Sequence, residues 1–223
     1  IGPASAPIDV LRELIRNGMD VARLNFSHGS YEFYTELVAN IRKLNEELGI
    51  HTAILADLQG PKLRVGEMEN GPIELVDGSE LVITTEQVKG RPGLVSTTYA
   101  QFPQDVKKGE MALLDDGKLR LEVIETDGKT RVVTRVINGG MLSANKGLNL
   151  PNTKVSLPCL TEKDLKDLDF ALDLNVDWVG LSFVRSARDI IELKGIIRSQ
   201  DKHARVVAKI EKPEALLEID DII

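Results

Sequence analysis

Apolar positions follow two different periods along the chain, and the period changes near residue 61 and again near residue 157. Up to about residue 60, apolar residues recur at helical spacing in two segments, which predicts helices that begin near Ser5 and Ser30. The runs "VARLNF" and "TAILADL" that follow these segments predict strands. Helices and strands in this alternating order are typical of a parallel sheet.

The middle of the chain lacks helical periodicity and contains alternating runs such as "ELVIT", "LRLEVIE" and "TRVVTRV". Between these runs lie Asn-Gly and Asp-Gly pairs, which suit tight hairpin turns because both central residues can adopt positive φ. The pairs are Asn70-Gly71, Asp77-Gly78, Asp116-Gly117, Asp127-Gly128 and Asn138-Gly139. We therefore expect an antiparallel β domain here.

Helix and strand patterns alternate again in the last part of the chain. Thr161, with Asp164 in the capping-box position, predicts a helix whose apolar stripe is Leu165, Leu168 and Leu172. The runs "VDWVGLSFV" and "ARVVAKIE" predict two further strands, each followed by a helical pattern. An inserted β domain therefore interrupts an α/β domain.

The formal net charge of −7 argues against a general nucleic-acid or membrane-surface binder, so a bound anion needs a local cluster of cations. The single cysteine, Cys159, excludes an intrachain disulfide framework and fits the reducing cytoplasm. The start, "IGPASAPIDV", has neither the basic segment of a signal peptide nor an initiator methionine, and the helical pattern is unfinished at the other end. We therefore expect a piece of a longer chain.

Polar side chains stand at the ends of the predicted strands. Residues two apart share one face of a strand, which places Arg23, Asn25 and, if the strand extends that far, Ser27 together. Asp57 ends the next strand. A solvated edge strand would show the same polar face, but ligands of parallel sheets bind at the carboxyl ends of the strands.

Lys209 and Glu211 repeat this arrangement in the last strand. A carboxylate suits Mg²⁺, and an ammonium suits a phosphoryl group. The alternative is a simple ion pair, which contributes less than ~1 kcal/mol. Lys146 lies in the loop that leaves the β domain, either as a solvated hinge residue or as a lysine that reaches a phosphate, and Phe183 is expected in the core.

The chain has no glycine-rich phosphate-binding motif, but six of its segments carry a resemblance to a known family. "IGPAS", "ARLNFSHG", "DLQGPKLRVG", "KGLNLP", "LSFVRSARD" and "AKIEKPEA" resemble the successive motifs of pyruvate kinases, in the same order and at similar spacing across the whole chain. The resemblance implies a (β/α)8 TIM barrel interrupted by a small antiparallel β-barrel lid. It assigns residues 1–60 and 157–223 to an incomplete barrel domain and residues 61–156 to the lid.

The resemblance also implies glycolytic phosphoryl transfer from phosphoenolpyruvate to ADP, giving pyruvate and ATP, by a cytoplasmic homotetramer that needs Mg²⁺. It assigns Arg23 and Lys209 to catalysis and substrate binding, Ser182 and Phe183 to substrate binding, and Glu211 to Mg²⁺. The nucleotide contacts that it implies are Pro3, Asn25, His28, Arg64 and Lys146. Two alternatives stay open: another Mg²⁺-dependent barrel enzyme of pyruvate or enolate chemistry, such as an aldolase or lyase, and an inactive truncated chain. We expect these 223 residues alone to be inactive.

Many members of the family bind K⁺ at positions that match Asn25, Ser27, Asp57 and Leu58 of this chain. Such members usually carry Thr at the position of Leu58 and Glu at the position of Lys62, and the chain departs from both. The Lys62 ammonium can replace the charge of the ion, so we expect that K⁺ is not required.

Overall fold

The computed structural model describes residues 1–223, which form seven helices and twelve strands. In chain order these are α1 (Ile8–Arg16), β1 (Val21–Asn25), α2 (Tyr31–Leu48), β2 (Ala53–Asp57), β3 (Ile73–Leu75), β4 (Glu80–Thr84), β5 (Leu94–Ser96), α3 (Phe102–Asp105), β6 (Met111–Leu114), β7 (Leu119–Thr126), β8 (Arg131–Asn138), β9 (Gly140–Leu142), β10 (Leu148–Asn149), α4 (Glu162–Asp173), β11 (Trp178–Leu181), α5 (Ala187–Ser199), β12 (Arg205–Ala208), α6 (Pro213–Leu217) and α7 (Ile219–Ile222). None of the helices combines the length and the apolarity that a membrane crossing requires.

The chain divides into two units, Ile1–Pro61 with Pro158–Ile223, and Lys62–Leu157. The first unit contains a parallel sheet in the order β1-β2-β11-β12, which is half the number of strands that closes an eight-stranded barrel. Asp57 is the register partner of both Asn25 on β1 and Gly180 on β11. The carboxyl ends of neighbouring strands are therefore aligned, and the unit has an α/β fold.

The apolar face of β1 forms part of the core of this unit, as its alternation predicts. Ala22 and Leu24 are fully buried, and Phe26, just past the strand, is 3% exposed. Leu168 and Leu172 of α4 are buried in the same core, but Leu165 is exposed, so its assignment to the apolar stripe is wrong. One turn of α4 therefore presents a leucine to solvent.

The helix starts follow the capping signals at two of the three predicted positions. Ser30 caps α2 by accepting a hydrogen bond from the Phe33 amide, and Thr161 and Asp164 form the capping box of α4. Ser5 does not cap α1, which begins after Pro7. Its hydroxyl bonds instead to the backbone of Gly2, because the segment before Pro7 forms a turn of its own.

The strands of the first unit are shorter than their apolar runs. β1 ends at Asn25, β11 ends at Leu181 and β12 ends at Ala208. Ser27, Lys209 and Glu211 therefore lie in the segments that follow the strands, where the backbone is free to turn.

The second unit contains a six-stranded sheet in the order β10-β6-β7-β8-β4-β5 and a two-stranded sheet of β3 and β9. All its strand pairs are antiparallel except β4 with β5. Its core includes the fully buried side chains of Phe102, Leu81 and Ile83. The unit is predominantly antiparallel, as the alternating runs predict.

The hairpin prediction holds for two of the five Asn-Gly and Asp-Gly pairs. Asp116-Gly117 joins the paired strands β6 and β7, and both residues have positive φ. Asp127-Gly128 joins β7 and β8, with positive φ at the glycine. Asp77-Gly78 and Asn138-Gly139 instead connect one sheet to the other, because β3 pairs with the distant β9.

Candidate functional site

An acid and two cations meet at the carboxyl ends of the parallel strands. Asp57, at the end of β2, is 3% exposed. One carboxylate oxygen accepts a hydrogen bond from Nε of Arg23 on β1 at 2.6 Å, and the other accepts one from Nζ of Lys209, just past β12, at 3.1 Å. The geometry is that of a buried acid that holds two cations in place, which a solvated edge strand would not provide.

The Lys209 ammonium has two further oxygen partners. It donates to Oγ of Ser182 at 2.8 Å and lies 3.3 Å from Oε1 of Glu211. Ser182 in turn donates to the carbonyl of Leu58 at 2.7 Å. The three donor hydrogens of an ammonium are thus matched by three acceptors, which fixes the position of the charge.

Phe183 has a left-handed backbone (φ 58°), which is uncommon for a residue with a side chain. Its amide donates to Oε2 of Glu211 at 2.9 Å, and its carbonyl accepts a hydrogen bond from the Cys159 thiol at 3.0 Å. The Lys212 ammonium lies 5.2 Å from the ring centroid, and burial lowers the pKa of that ammonium. Phe183 is half-buried and lies beside Glu211, so its expected place in the core is wrong.

Glu211 offers one carboxylate to a metal. No group of three or more His, Cys, Asp or Glu side chains in the chain forms a complete set of metal ligands. Mg²⁺ commonly binds through one or two carboxylates and takes its remaining ligands from water and substrate phosphates. The chemistry of Glu211 fits this kind of site, and its two oxygens contact the Lys209 ammonium and the Phe183 amide. Both oxygens of the more deeply buried Asp57 are engaged by cations.

Asn25 ends β1, and Ser27 and His28 lie in the segment that follows. The Asn25 side-chain oxygen accepts a hydrogen bond from the Ser27 amide at 3.1 Å, and its carbonyl accepts one from the His28 amide at 3.0 Å. Leu58 is buried next to Asp57 and contributes no side-chain oxygen. Of the four positions to which the resemblance assigns a K⁺ site, Asn25 and Asp57 are paired in the sheet register, and Leu58 follows Asp57 directly.

Pro3 lies near the start of the chain, beside a small cavity of about 170 Å³ that is also lined by Phe33. The N-terminal ammonium of Ile1 donates to the Arg23 carbonyl at 2.8 Å. The segment that carries Pro3 is therefore tied to β1, but no hydrogen bond joins Pro3 itself to the cluster around Asp57.

Arg64 and Lys146 come together within the second unit. Arg64 forms an isolated β-bridge with Gly147 and donates from its guanidinium to the carbonyl of Asn145 at 3.2 Å. Nζ of Lys146 lies 2.7 Å from Oδ1 of Asp115. That contact, together with Lys118, lowers the pKa of the Asp115 carboxyl. In the same unit the Lys62 carbonyl accepts a hydrogen bond from the Thr98 hydroxyl.

The sequence gives little sign of Asp115 as a partner of Lys146. Asp115, which pairs with Lys146, and Asn145, which precedes Lys146 in the chain, both have left-handed backbone. Such conformations cluster at functional sites. The "DDG" run predicts a turn and nothing more, because a local sequence pattern does not show a contact between residues 31 apart.

Comparisons with known proteins show the family of the chain. The family model described as pyruvate kinase, barrel domain, matches residues 1–223. The chain is 45% identical over 225 residues to a pyruvate kinase of Geobacillus stearothermophilus, which covers 100% of the chain and 38% of the relative. It is 42% identical to pyruvate kinases of Corynebacterium efficiens and Mycobacterium tuberculosis, covering 100% of the chain and 47% of each relative. The chain thus spans less than half the length of these relatives.

Proposed function

Because the chain belongs to the pyruvate kinase family, we propose that the protein containing it transfers the phosphoryl group of phosphoenolpyruvate to ADP. The observation that carries the proposal is the convergence of Arg23 and Lys209 on the buried Asp57, with Glu211 beside Lys209. Clustered cations next to a metal-binding carboxylate are what phosphoryl transfer requires, since it depends on positioning and electrostatic stabilisation.

In this proposal a terminal phosphate oxygen of ADP attacks the phosphorus of phosphoenolpyruvate. The bond from phosphorus to the enol oxygen breaks, its electron pair leaves with the enolate, and the enolate takes a proton to become pyruvate. Arg23 contacts the transferring phosphoryl group, and Lys209 neutralises the charge that develops on it. Ser182 and Phe183 contact the substrate, and the hydrogen bond that Lys209 donates to Ser182 supports this.

Glu211 is the residue of this chain that would hold Mg²⁺. The ion supplies positive charge to the enolate and phosphate oxygens when bound. Lys62 takes the place of a monovalent cation, so the protein does not require K⁺. The proposal that K⁺ is not required is supported by Leu58 and Lys62, the two positions at which the sequence departs from the pattern of K⁺-binding members.

The proposal assigns the two stretches 1–60 and 157–223 to part of a (β/α)8 barrel. It assigns residues 61–156 to a lid, a small antiparallel β-barrel. Arg64 and Lys146 act on the nucleotide from the lid, and their mutual proximity within the second unit supports a shared ligand. Pro3, Asn25 and His28 contribute further nucleotide contacts. The whole protein acts in glycolysis as a cytoplasmic homotetramer.

The test is pyruvate formation by the full-length protein. With phosphoenolpyruvate, ADP and Mg²⁺, pyruvate should accumulate in step with ATP. Pyruvate released without ATP formation, or cleavage of a pyruvate-containing substrate in the absence of nucleotide, would overturn the assignment in favour of a lyase or aldolase.

A further inference from the structure

The first turn of α4 contacts the segments that follow two neighbouring strands. Nζ of Lys163 donates to the carbonyl of Phe26, just past β1, at 2.9 Å. Oδ1 of Asp164 accepts a hydrogen bond from the amide of Gly60, just past β2, at 3.0 Å. Neither residue belongs to the group of site residues proposed above.

Lys163 is itself held in place by a buried carboxylate. Its ammonium pairs with Asp167, one turn further along α4, and that carboxylate is 2% exposed. The other oxygen of Asp167 accepts a hydrogen bond from the Tyr31 hydroxyl at 2.8 Å, and the Tyr31 ring stacks on Phe170. The position of the Lys163 ammonium is therefore set by Asp167, which is itself held by Tyr31.

The segment after β1 uses Lys163 to complete its hydrogen bonding. The Phe26 amide donates to the Asp57 carbonyl at 3.0 Å, the Ser27 amide donates to the Asn25 side chain, and the Tyr34 hydroxyl donates to the Asn25 carbonyl at 2.6 Å. The Phe26 carbonyl accepts from Lys163. An unpaired carbonyl near the core is costly, so removing the lysine favours a rearrangement of this segment.

Asp164 acts in the same way on the segment after β2. It is fully buried, and its second oxygen accepts hydrogen bonds from both the amide and the hydroxyl of Thr161. Gly60 has φ +68°, and a Cβ there would lie 2.9 Å from Cβ of Ser182. The Gly60 backbone is thus pressed against Ser182, and Asp164 fixes it there.

We propose that Lys163 and Asp164 are positioning residues, through which the first turn of α4 holds the segments that carry the nucleotide and substrate contacts. Lys163 fixes the segment with Asn25 and His28, and Asp164 fixes Gly60 against Ser182. The inference rests on the proposed function for what these segments bind. The contacts themselves are independent of it.

The experiment uses the full-length protein with Lys163→Met, Lys163→Arg and, as a matched control, Lys166→Met on the exposed side of the same helix. Lys163→Met should raise KM for ADP about tenfold and leave KM for phosphoenolpyruvate and kcat nearly unchanged. Amide hydrogen exchange in residues 25–29 should become about tenfold faster. Lys163→Arg should bring both the KM for ADP and the exchange rate in residues 25–29 most of the way back to the values of the parent protein. Lys166→Met should leave both values unchanged.

A second pair of variants distinguishes the contact of Asp164 with Gly60 from its part in the cap of α4. Thr161→Val removes the hydroxyl that accepts from the amide of residue 164 and keeps the contact with Gly60. Asp164→Ala keeps that hydroxyl and removes the carboxylate bonds to both Thr161 and Gly60. Asp164→Ala should raise KM for phosphoenolpyruvate severalfold more than Thr161→Val does, with faster exchange at Gly60.

Unchanged exchange in both segments overturns the inference, and so does a loss of thermal stability without the split between the two KM values. If the parent protein shows no phosphoryl transfer at all, the proposed function fails, and the exchange measurement still decides whether α4 holds these segments.

Discussion

Lys209 and Asp57, which are 152 residues apart in the sequence, are joined by a hydrogen bond of 3.1 Å between Nζ and Oδ1. The other oxygen of the carboxylate binds Arg23, so one buried acid lies between two cations. Cations this close repel each other unless an anion stands between them. The acid keeps both side chains ordered and presents their positive charge at the ends of the strands.

Lys209→Met in the full-length protein should abolish nearly all phosphoryl transfer. Removing a cation about 4 Å from the migrating group costs about 4 kcal/mol at an effective dielectric near 20, which is about a thousandfold in kcat. Asp57 retains Arg23 as a partner, so the fold should survive. Steady-state kinetics with Lys194→Met, an exposed lysine on α5, as the control will test this. Near-normal kcat in Lys209→Met would remove Lys209 from the catalytic group.

Asp57→Asn should lower both stability and activity. The amide keeps the volume but leaves Arg23 and Lys209 without their shared anion. Breaking a buried pair costs several kcal/mol, and because these cations are partly exposed we expect a loss of about 2 kcal/mol in the free energy of unfolding. Urea denaturation measures it, with the exposed Asp173→Asn as the control. Equal midpoints for the two variants would contradict the role of Asp57.

The sequence predicts the α/β elements and the residues at the strand ends well, because strand periodicity and capping signals are local. Ala22 and Leu24 are buried on one side of β1, and Thr161 and Asp164 cap α4, as their spacing predicts. The contact of Asp164 with Gly60 could not be predicted, because it joins residues 104 apart through tertiary packing.

The Asn-Gly and Asp-Gly pairs likewise predict only local structure. Asp116-Gly117 turns between paired strands, as its local preference predicts. Asp77-Gly78 does not join paired strands, because β3 pairs with β9 while the next strand, β4, belongs to the other sheet. Which strand accepts a partner is decided by the packing of the whole unit, and this overrides the preference of a dipeptide.

Cys159 should resist alkylation in the folded protein. Burial raises the pKa of its thiol from 9.0 to about 12, with Asp189 adding to the shift, so almost no thiolate is present at pH 8. Iodoacetamide labelling of the Cys159 peptide, followed by mass spectrometry, should be slow in the native protein and fast in urea.

The same shift predicts a dependence of stability on pH. The folded state keeps the proton while the unfolded state loses it, so the contribution of Cys159 is complete below pH 9 and declines as pH rises from 9 towards 12. In Cys159→Ala, the free energy of unfolding should fall less steeply between pH 9 and 12 than it does in the parent protein. Rapid native labelling at pH 8, or an alkaline profile that the substitution does not alter, would contradict the assignment.

The 223 residues expressed alone should make no measurable ATP. Four parallel strands leave open edges where eight close a barrel, and exposed edges favour association. Glu211 is also a single carboxylate without a complete set of metal ligands. A luciferase assay of the purified chain with phosphoenolpyruvate and ADP tests this, with the full-length protein as the positive control. Sustained ATP formation by the short chain would refute it.

The full-length protein should work without K⁺ but still need Mg²⁺. Leu58 is buried and has no side-chain oxygen to offer a monovalent cation, and in our proposal the Lys62 ammonium supplies the positive charge that the ion would bring. Binding K⁺ beside an ammonium is electrostatically unfavourable. Activity in tetramethylammonium chloride should therefore equal activity in KCl at the same ionic strength. Lys62→Glu should lose activity in tetramethylammonium and regain it with K⁺, whereas Lys62→Gln, which removes the charge without adding an acid, should regain less. A strong drop of the parent protein without K⁺, or a Lys62→Glu variant indifferent to K⁺, would defeat the assignment of Lys62.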